Sequence, residues 1–185
     1  MLTKITGFGC LALVLLSSAD QVVGRARWLE HQNRAVHLYP RRFGQERPAV
    51  LDLLAQACPS QICGTLAGAA ITPLLAAQPE CSQQDFADSI IDASRQFDEA
   101  TQANMIAIAQ EYRQAEKNTP PDFSSNPPRL RNSVFCQKAP SNAELEGLVQ
   151  AQDPANDPEL FFDPALGAQV TVLRGSQVNT APFAG

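Results

Sequence analysis

Four cysteines in the middle of the chain place the tightest limits on how it can fold: Cys58, Cys63, Cys81 and Cys136. An even number of cysteines predicts two disulfides if the chain enters an oxidising compartment, and three pairings are then possible. Among these pairings we favour Cys58–Cys63 within one loop and Cys81–Cys136 across a long helix. The irregular spacing, with no C-x-x-C pair, argues against a structural zinc site and against redox catalysis. Two bridges are too few to hold a fold of this size together by themselves, so we expect them to add to the stability of an apolar core.

The N-terminus carries the pattern of a secretory signal peptide. A short positive start precedes the apolar run Ile5–Leu16, which is followed by small residues up to Ala19. This pattern predicts that residues 1–19 are removed and that the protein is secreted, with Gly24 as a second possible boundary. The apolar run is shorter than the ~20 residues that span a bilayer. Cys10 lies within the run and is expected to leave with the signal.

Residues 20–42 differ in composition from the rest of the chain. They carry five arginines against two acidic residues, and they end in the dibasic pair Arg41-Arg42. Both histidines and the only tryptophan also lie here: His31, His37 and Trp28. Secretory processing proteases cut at dibasic pairs, so one interpretation is a removable propeptide. The other interpretation is a basic arm that stays attached to the mature protein.

Helical patterns dominate the next part of the chain. A short helix is predicted from Pro48 to Ala57, because proline is tolerated in a first turn, and a second helix from about Gly64 to Ile71. The clearest element is one long helix over residues 82–117, where apolar residues recur at helical spacing and neither proline nor glycine occurs. Ser82 and Asp85 match a Ser-x-x-Asp cap at the start of this helix.

Proline changes the pattern after residue 119. Pro-Pro pairs at 120–121 and 127–128 predict extended chain that lies on the surface. A short amphipathic helix is expected at Asn142–Gln152. Further one- or two-turn helices are predicted where aspartate precedes proline, at Asp153, Asp157 and Asp163.

The predicted fold class is mainly α. It is a small disulfide-stapled helical domain over residues 43–174, with one long helix and a Pro-rich C-terminal wrap. Val170–Val172 is expected to form a small strand, and residues 175–185 a flexible tail.

Chemistry-bearing residues are sparse beyond the basic arm. Residues 43–185 contain neither histidine nor tryptophan, which excludes Ser-His-Asp, Cys-His and His-metal chemistry there if the arm is removed. No Gly-rich phosphate loop occurs in the sequence. These residues carry 8 basic against 17 acidic side chains, a balance of −9 within a whole chain at −5, which argues against nucleic-acid binding. We therefore predict no catalytic residues, no cofactor and no metal.

Two sets of acidic residues allow other interpretations. Asp88 and Asp92 are the positions on which a carboxylate-based hydrolase would depend, but a solvated helix face is a commoner reason for such spacing. Oxygen ligands for calcium are available in the Asp-Pro region, although their spacing matches no EF-hand loop: Asp153, Asn156, Asp157 and Asp163. We favour turns over calcium at these positions.

Four segments resemble a group of small secreted proteins from filamentous fungi: LLAQACPSQICG, EYRQAEKNTPPDF, NPPRLRNSVFCQKAP and LVQAQDPANDPELFFDP. The resemblance covers about residues 46–183. It implies extracellular export. It implies no activity and no catalytic residues, because none is established for that group.

Together these features predict a secreted, non-catalytic protein that binds an unknown extracellular partner or surface. Nucleic acid is not expected as a partner, and the mature protein is expected to have no membrane span. The alternative is a small carrier of apolar ligands, since Ala/Leu/Ile-rich helices over residues 48–77 could enclose a cavity. A carboxylate-based hydrolase is the least favoured function.

Overall fold

The computed structural model of the protein describes residues 28–31, 34–37 and 47–184. The chain divides into two units, residues 1–39 and residues 40–185.

The described part of the first unit is a pair of antiparallel strands, β1 (Trp28–His31) and β2 (Arg34–His37). Trp28 pairs with His37 in this register. The segment that we predicted only as a basic arm or propeptide therefore contains regular structure. The predicted signal peptide, its cleavage after Ala19 and the Arg41-Arg42 processing site lie outside the described residues.

Helices form the first half of the described part of the second unit: α1 (Val50–Gln56), α2 (Ser60–Ala69), α3 (Ser82–Ser94) and α4 (Glu99–Arg113). A 3-10 helix at Thr72–Leu74 follows α2. Helix α1 packs against α2 and α4, and α3 packs against α4. Their shared core is apolar and closed to solvent, with Leu54, Ile90 and Met105 fully buried. The two short helices that the sequence predicts before residue 72 correspond to α1 and α2.

The prediction of a single long helix over residues 82–117 is wrong. The chain breaks at Asp98, whose backbone is extended and whose carboxylate accepts hydrogen bonds from the backbone N–H groups of Ala100 and Thr101, each at 3.1 Å. An unbroken helix over this range would be about 54 Å long at 1.5 Å per residue, which leaves most of its apolar stripe uncovered. Folding back allows α3 and α4 to bury these stripes against each other.

The predicted cap at the start of α3 also differs from the observed one. The N-cap residue is Cys81, which makes no side-chain cap hydrogen bond. The Ser82 hydroxyl instead donates to the carbonyl oxygen of Pro73 at 3.2 Å. A contact with the preceding 3-10 helix has therefore replaced the local cap.

A mixed three-stranded sheet forms the second half of this unit, and it makes the prediction of a mainly α fold wrong. The strands are β3 (Arg131–Ser133), β4 (Asp157–Phe162) and β5 (Thr171–Leu173). Central strand β4 runs parallel to β3 and antiparallel to β5. The fold is therefore α/β, and the predicted strand at Val170–Val172 corresponds to β5. A second apolar core of Val134, Phe135, Phe161 and Val172 lies against this sheet.

The Asp-Pro pairs do not all begin helices as predicted. Asp157 starts β4, and Asp153 lies in a turn, while Asp163 caps a 3-10 helix at Pro164–Leu166. In each pair one carboxylate oxygen accepts a hydrogen bond from the backbone N–H two residues later, at 2.8–2.9 Å. This local bond is common to turns and helix starts, so the residues that follow decide between them. After Asp157 these are Leu160–Phe162, which are buried in the sheet.

The expected helix at Asn142–Gln152 is reduced to a 3-10 helix at Ala143–Leu145. Beyond it, long-range hydrogen bonds to strand β3 and its neighbour replace helical ones. The Gln150 amide donates to the carbonyl oxygen of Val134 at 3.0 Å, and the Gln152 amide donates to that of Ser133 at 2.9 Å.

The segment expected to be a flexible tail makes specific contacts in its described part, residues 175–184. A 3-10 helix occupies Val178–Thr180, and Thr180 is buried. The Thr180 hydroxyl accepts from the backbone N–H of Gly175 at 2.8 Å. The backbone N–H of Phe135 donates to the carbonyl oxygen of Asn179 at 2.7 Å.

Within residues 47–184 the structure contains two disulfides, Cys58–Cys63 and Cys81–Cys136, so the prediction of two bridges is confirmed. The first spans a separation of five residues and holds the start of α2 to the end of α1. The second spans 55 residues and joins the start of α3 to the chain just beyond β3. It therefore ties the helical half to the sheet.

Candidate functional site

The two aspartates considered for hydrolysis have different environments. Asp88 on α3 is buried, and it accepts hydrogen bonds from the backbone N–H groups of Ser141 and Asn142 at 3.1 and 2.8 Å. The Asn142 amide also donates to Asp88, at 3.0 Å, and to Asp92, at 3.3 Å. Asp92 additionally lies 3.6 Å from the guanidinium of Arg95. Both carboxylates thus fasten the 141–142 segment to α3.

The four residues considered for calcium do not assemble into a site. Three of the four, Asp153, Asp157 and Asp163, each accept a hydrogen bond from the backbone N–H two residues later. Within the described ranges, no group of three or more His, Cys, Asp or Glu residues is placed to hold a metal ion.

An open groove of about 410 Å³ lies where the start of α3, the end of β4 and the C-terminal segment meet. We call it the acidic groove. Its lining residues are Glu80, Gln137, Asp163, Ala165, Leu166, Gln177, Val178 and Asn179.

Two carboxylates of the acidic groove share one amide. The Asn179 Nδ2 donates to Glu80 Oε2 at 2.9 Å and to Asp163 Oδ2 at 3.1 Å. Carboxylates accept hydrogen bonds and cannot donate them when ionised, so the amide must present its nitrogen to both of them. This fixes the orientation of Asn179 and holds the two negative charges close together.

Each member of this trio is held by a different part of the fold. Glu80 immediately precedes Cys81 and its disulfide. Asp163 is buried at the end of β4, where it caps the following 3-10 helix. Asn179 is held through its backbone carbonyl by Phe135. Three separate segments therefore build the floor of the groove.

The rim of the acidic groove is apolar and exposed. Val178 is 80% exposed and Leu166 is 45% exposed. Isolated apolar side chains on a surface are ordinary, but these two flank a concave site that contains two carboxylates. The groove therefore offers negative charge at its floor and apolar surface at its edge.

Two buried cations, Lys117 and Arg113, lie near each other, and Lys117 also lies near Glu80 of the groove. Lys117 is 2% exposed, and its ammonium donates to the carbonyl oxygen of Pro79 at 3.3 Å. Burial lowers the pKa of Lys117 to about 8, helped by the positive charge of Arg113 and opposed by Glu80. Burial also lowers the pKa of Arg113, which donates to Gln84 Oε1 at 3.0 Å.

Sequence reasoning missed the residues of this region. Glu80 and Asn179 belong to no motif, and Asp163 stood out only as an Asp-Pro position and a candidate oxygen ligand for calcium. Lys117 stands at the polar end of a predicted helix, where exposure is the usual outcome. The only usable signal was the Asp-Pro pair at Asp163, which predicted the cap but not the groove.

No protein-family model, curated protein or solved structure matches this chain. The resemblance to small secreted fungal proteins therefore stays a prediction. Across the described ranges, no helix is long and apolar enough to cross a membrane.

Proposed function

We propose that this protein is a secreted, non-catalytic binding protein, and that its partner docks in the acidic groove through a cationic side chain next to an apolar one. The observation that supports this proposal is the arrangement of the groove. Asn179 holds Glu80 and Asp163 together beneath an exposed rim of Leu166 and Val178. A guanidinium or ammonium group complements the carboxylates, and a neighbouring apolar side chain complements the rim.

The chemistry of the groove supports binding over catalysis. Both oxygens of the buried Asp163 already accept hydrogen bonds, from Ala165 and Asn179, so the partly exposed Glu80 is the carboxylate that meets a cationic partner. Glycosidases use a pair of carboxylates and commonly stack sugars on aromatic rings, but no aromatic residue lines this groove. The two disulfides are compatible with an extracellular protein, because such bridges persist in oxidising compartments.

The test is an NMR titration of the secreted form obtained by expressing the full chain. The probe is the capped dipeptide Phe-Arg amide, and the comparison is Phe-citrulline amide, which has nearly the same shape without the charge. We expect the Arg peptide to shift the backbone amides of Leu166 and Val178, and the citrulline peptide to bind more weakly. Glu80→Gln is expected to weaken binding of the Arg peptide roughly 2- to 5-fold, as for a partly exposed ion pair.

The matched control is Glu159→Gln, which removes an equivalent charge from a residue outside the groove. It should leave the affinity unchanged. Equal affinity for both peptides, or no effect of Glu80→Gln, would contradict the proposal. Displacement of an apolar dye by fatty acid at micromolar concentration would instead favour the carrier alternative.

A further inference from the structure

The Pro-rich segment presents a phenylalanine to solvent on a closed loop. We call residues 122–129 the Phe123 loop; Phe123 is 72% exposed. Two backbone hydrogen bonds close the loop, Asp122 N–H to Arg129 O at 2.8 Å and Arg129 N–H to Asp122 O at 3.0 Å. The side chains of the same two residues form an ion pair at 2.6 Å. An aromatic residue presented by a preorganised loop is typical of a binding anchor.

Further hydrogen bonds hold the conformation of the loop next to Phe123. Asp122 Oδ1 accepts from the backbone N–H of Ser124 at 2.9 Å, and its Oδ2 accepts from the Thr171 hydroxyl at 2.7 Å. The Ser125 hydroxyl donates to the carbonyl oxygen of Pro127 at 2.9 Å. The phenyl ring therefore projects from a fixed base.

Arg131 connects the base of this loop to the segment that follows the groove rim. Its side chain is 1% exposed. The guanidinium donates to the carbonyl oxygen of Pro120 at 3.0 and 3.1 Å, and to those of Ala168 and Val170 at 3.2 and 3.1 Å. Ala168 stands two residues after Leu166 of the rim. One buried side chain thus holds the chain just before the Phe123 loop next to the chain that follows Leu166.

We propose that a second copy of this chain is the partner of the acidic groove, with the Phe123 loop of each copy seated in the groove of the other. This inference rests on the proposed function, since it names the partner of the same site. The groove is open to solvent, with a volume of about 410 Å³, so a phenyl ring can lie against its apolar rim. Leu166 and Val178 supply apolar contacts for the phenyl ring.

Charge and symmetry agree with this arrangement. The Arg129 side chain is 49% exposed, so part of its guanidinium is open to a carboxylate of the facing groove. In a two-fold dimer each copy supplies one loop and one groove, so the same contact forms twice. Such a reciprocal interface closes at a dimer, which is the commonest symmetric assembly.

The experiment is sedimentation velocity of the secreted form over roughly 10 µM to 1 mM, a range suited to a small interface. We expect the weight-average mass to rise with concentration towards twice that of the chain. Phe123→Ser and Val178→Asp should each abolish the rise. A mixture of these two variants should restore part of it, because one intact loop can still enter one intact groove. Leu53→Asp, at an exposed position on α1 outside both features, is the control and should behave as wild type.

A wild-type protein that stays monomeric at the highest concentration would overturn the inference, as would self-association that survives Phe123→Ser. Circular dichroism melting of each variant verifies that its fold is retained. If the chain is monomeric but Phe-Arg amide still shifts Leu166 and Val178, only this inference fails. If the dipeptide does not bind either, the proposed function fails with it.

Discussion

Replacing the buried Lys117 by methionine should stabilise the protein at neutral pH. Lys117 is 2% exposed, and burial lowers its pKa from 10.5 to about 8. The folded protein therefore binds this proton more weakly than the unfolded chain does. The resulting cost to folding is fully present below pH 8 and disappears as the pH rises towards 10.5.

The magnitude follows from the size of this pKa difference. Two to three pKa units correspond to about 3 kcal/mol, at 1.36 kcal/mol per unit. The Lys117→Met variant also loses the hydrogen bond to the carbonyl oxygen of Pro79, which is worth about 1 kcal/mol. Methionine is similarly long and unbranched, so it fills the same space. We expect a net gain of about 2 kcal/mol in the free energy of unfolding at pH 6 to 7.

The assay is urea denaturation of wild type and variant at several pH values from about 6 to 9.5, with the disulfides verified intact by mass. The gain should shrink above pH 8 and be nearly absent by about pH 9.5, where the burial cost that remains is close to the roughly 1 kcal/mol lost with the hydrogen bond to Pro79. The control is Lys138→Met. This lysine is about half exposed and pairs with Asp85 at 2.6 Å, so its change should stay within about 1 kcal/mol at every pH.

Two results would refute this reasoning. One is a Lys117→Met variant that is less stable than wild type at pH 6. The other is a difference in unfolding free energy that stays constant across the pH range, because a constant difference means that Lys117 titrates alike in the folded and unfolded chains.

Three further predictions concern the disulfides, Arg131 and the cap of α4. Removing Cys81–Cys136 by a double alanine substitution should cost about 4 kcal/mol in urea denaturation, and removing Cys58–Cys63 about 2 kcal/mol, because the longer loop restricts the unfolded chain more; equal losses would contradict this ranking. Arg131→Lys should lower the free energy of unfolding by at least about 3 kcal/mol in the same assay. One ammonium cannot replace the guanidinium N–H groups that donate to the carbonyl oxygens of Pro120, Ala168 and Val170. Asp98→Ala should lower the melting temperature, whereas Asp98→Ser should retain most of it by restoring the cap of α4.

Several elements follow from local sequence alone. Pro48 and the apolar spacing after it predict α1, and the β-branched residues at Val170–Val172 predict β5. The even number of cysteines predicts two disulfides. Each of these signals acts over a few residues or depends only on a count, so it needs no knowledge of the fold.

The break between α3 and α4 at Asp98 could not be predicted from local sequence. Residues 82–117 have helical propensity throughout and contain no helix-breaking residue. Burial decides the break, because two antiparallel helices cover each other's apolar faces and one long helix does not. Asp98 caps α4 only once that reversal has been made.

The acidic groove lies beyond sequence reasoning for a related reason. The contact between Asn179 and Glu80 joins residues that are 99 positions apart, and no spacing rule connects an amide to carboxylates at such a distance. The sequence predicted a Pro-rich surface segment but not a loop that exposes Phe123, because exposure depends on what else packs nearby.

The sequence by itself determined the two disulfides and the local helices, because these depend on short-range propensity and cysteine number. The tertiary structure decided the sheet, the reversal between α3 and α4, the burial of Lys117 and the joining of Glu80 to Asp163. The physical reason is that burial and long-range hydrogen bonding are properties of the assembled core. At Ser82 and Asp157 the local sequence favours a helix cap and a helix start. Long-range hydrogen bonding and burial in the assembled fold override these preferences.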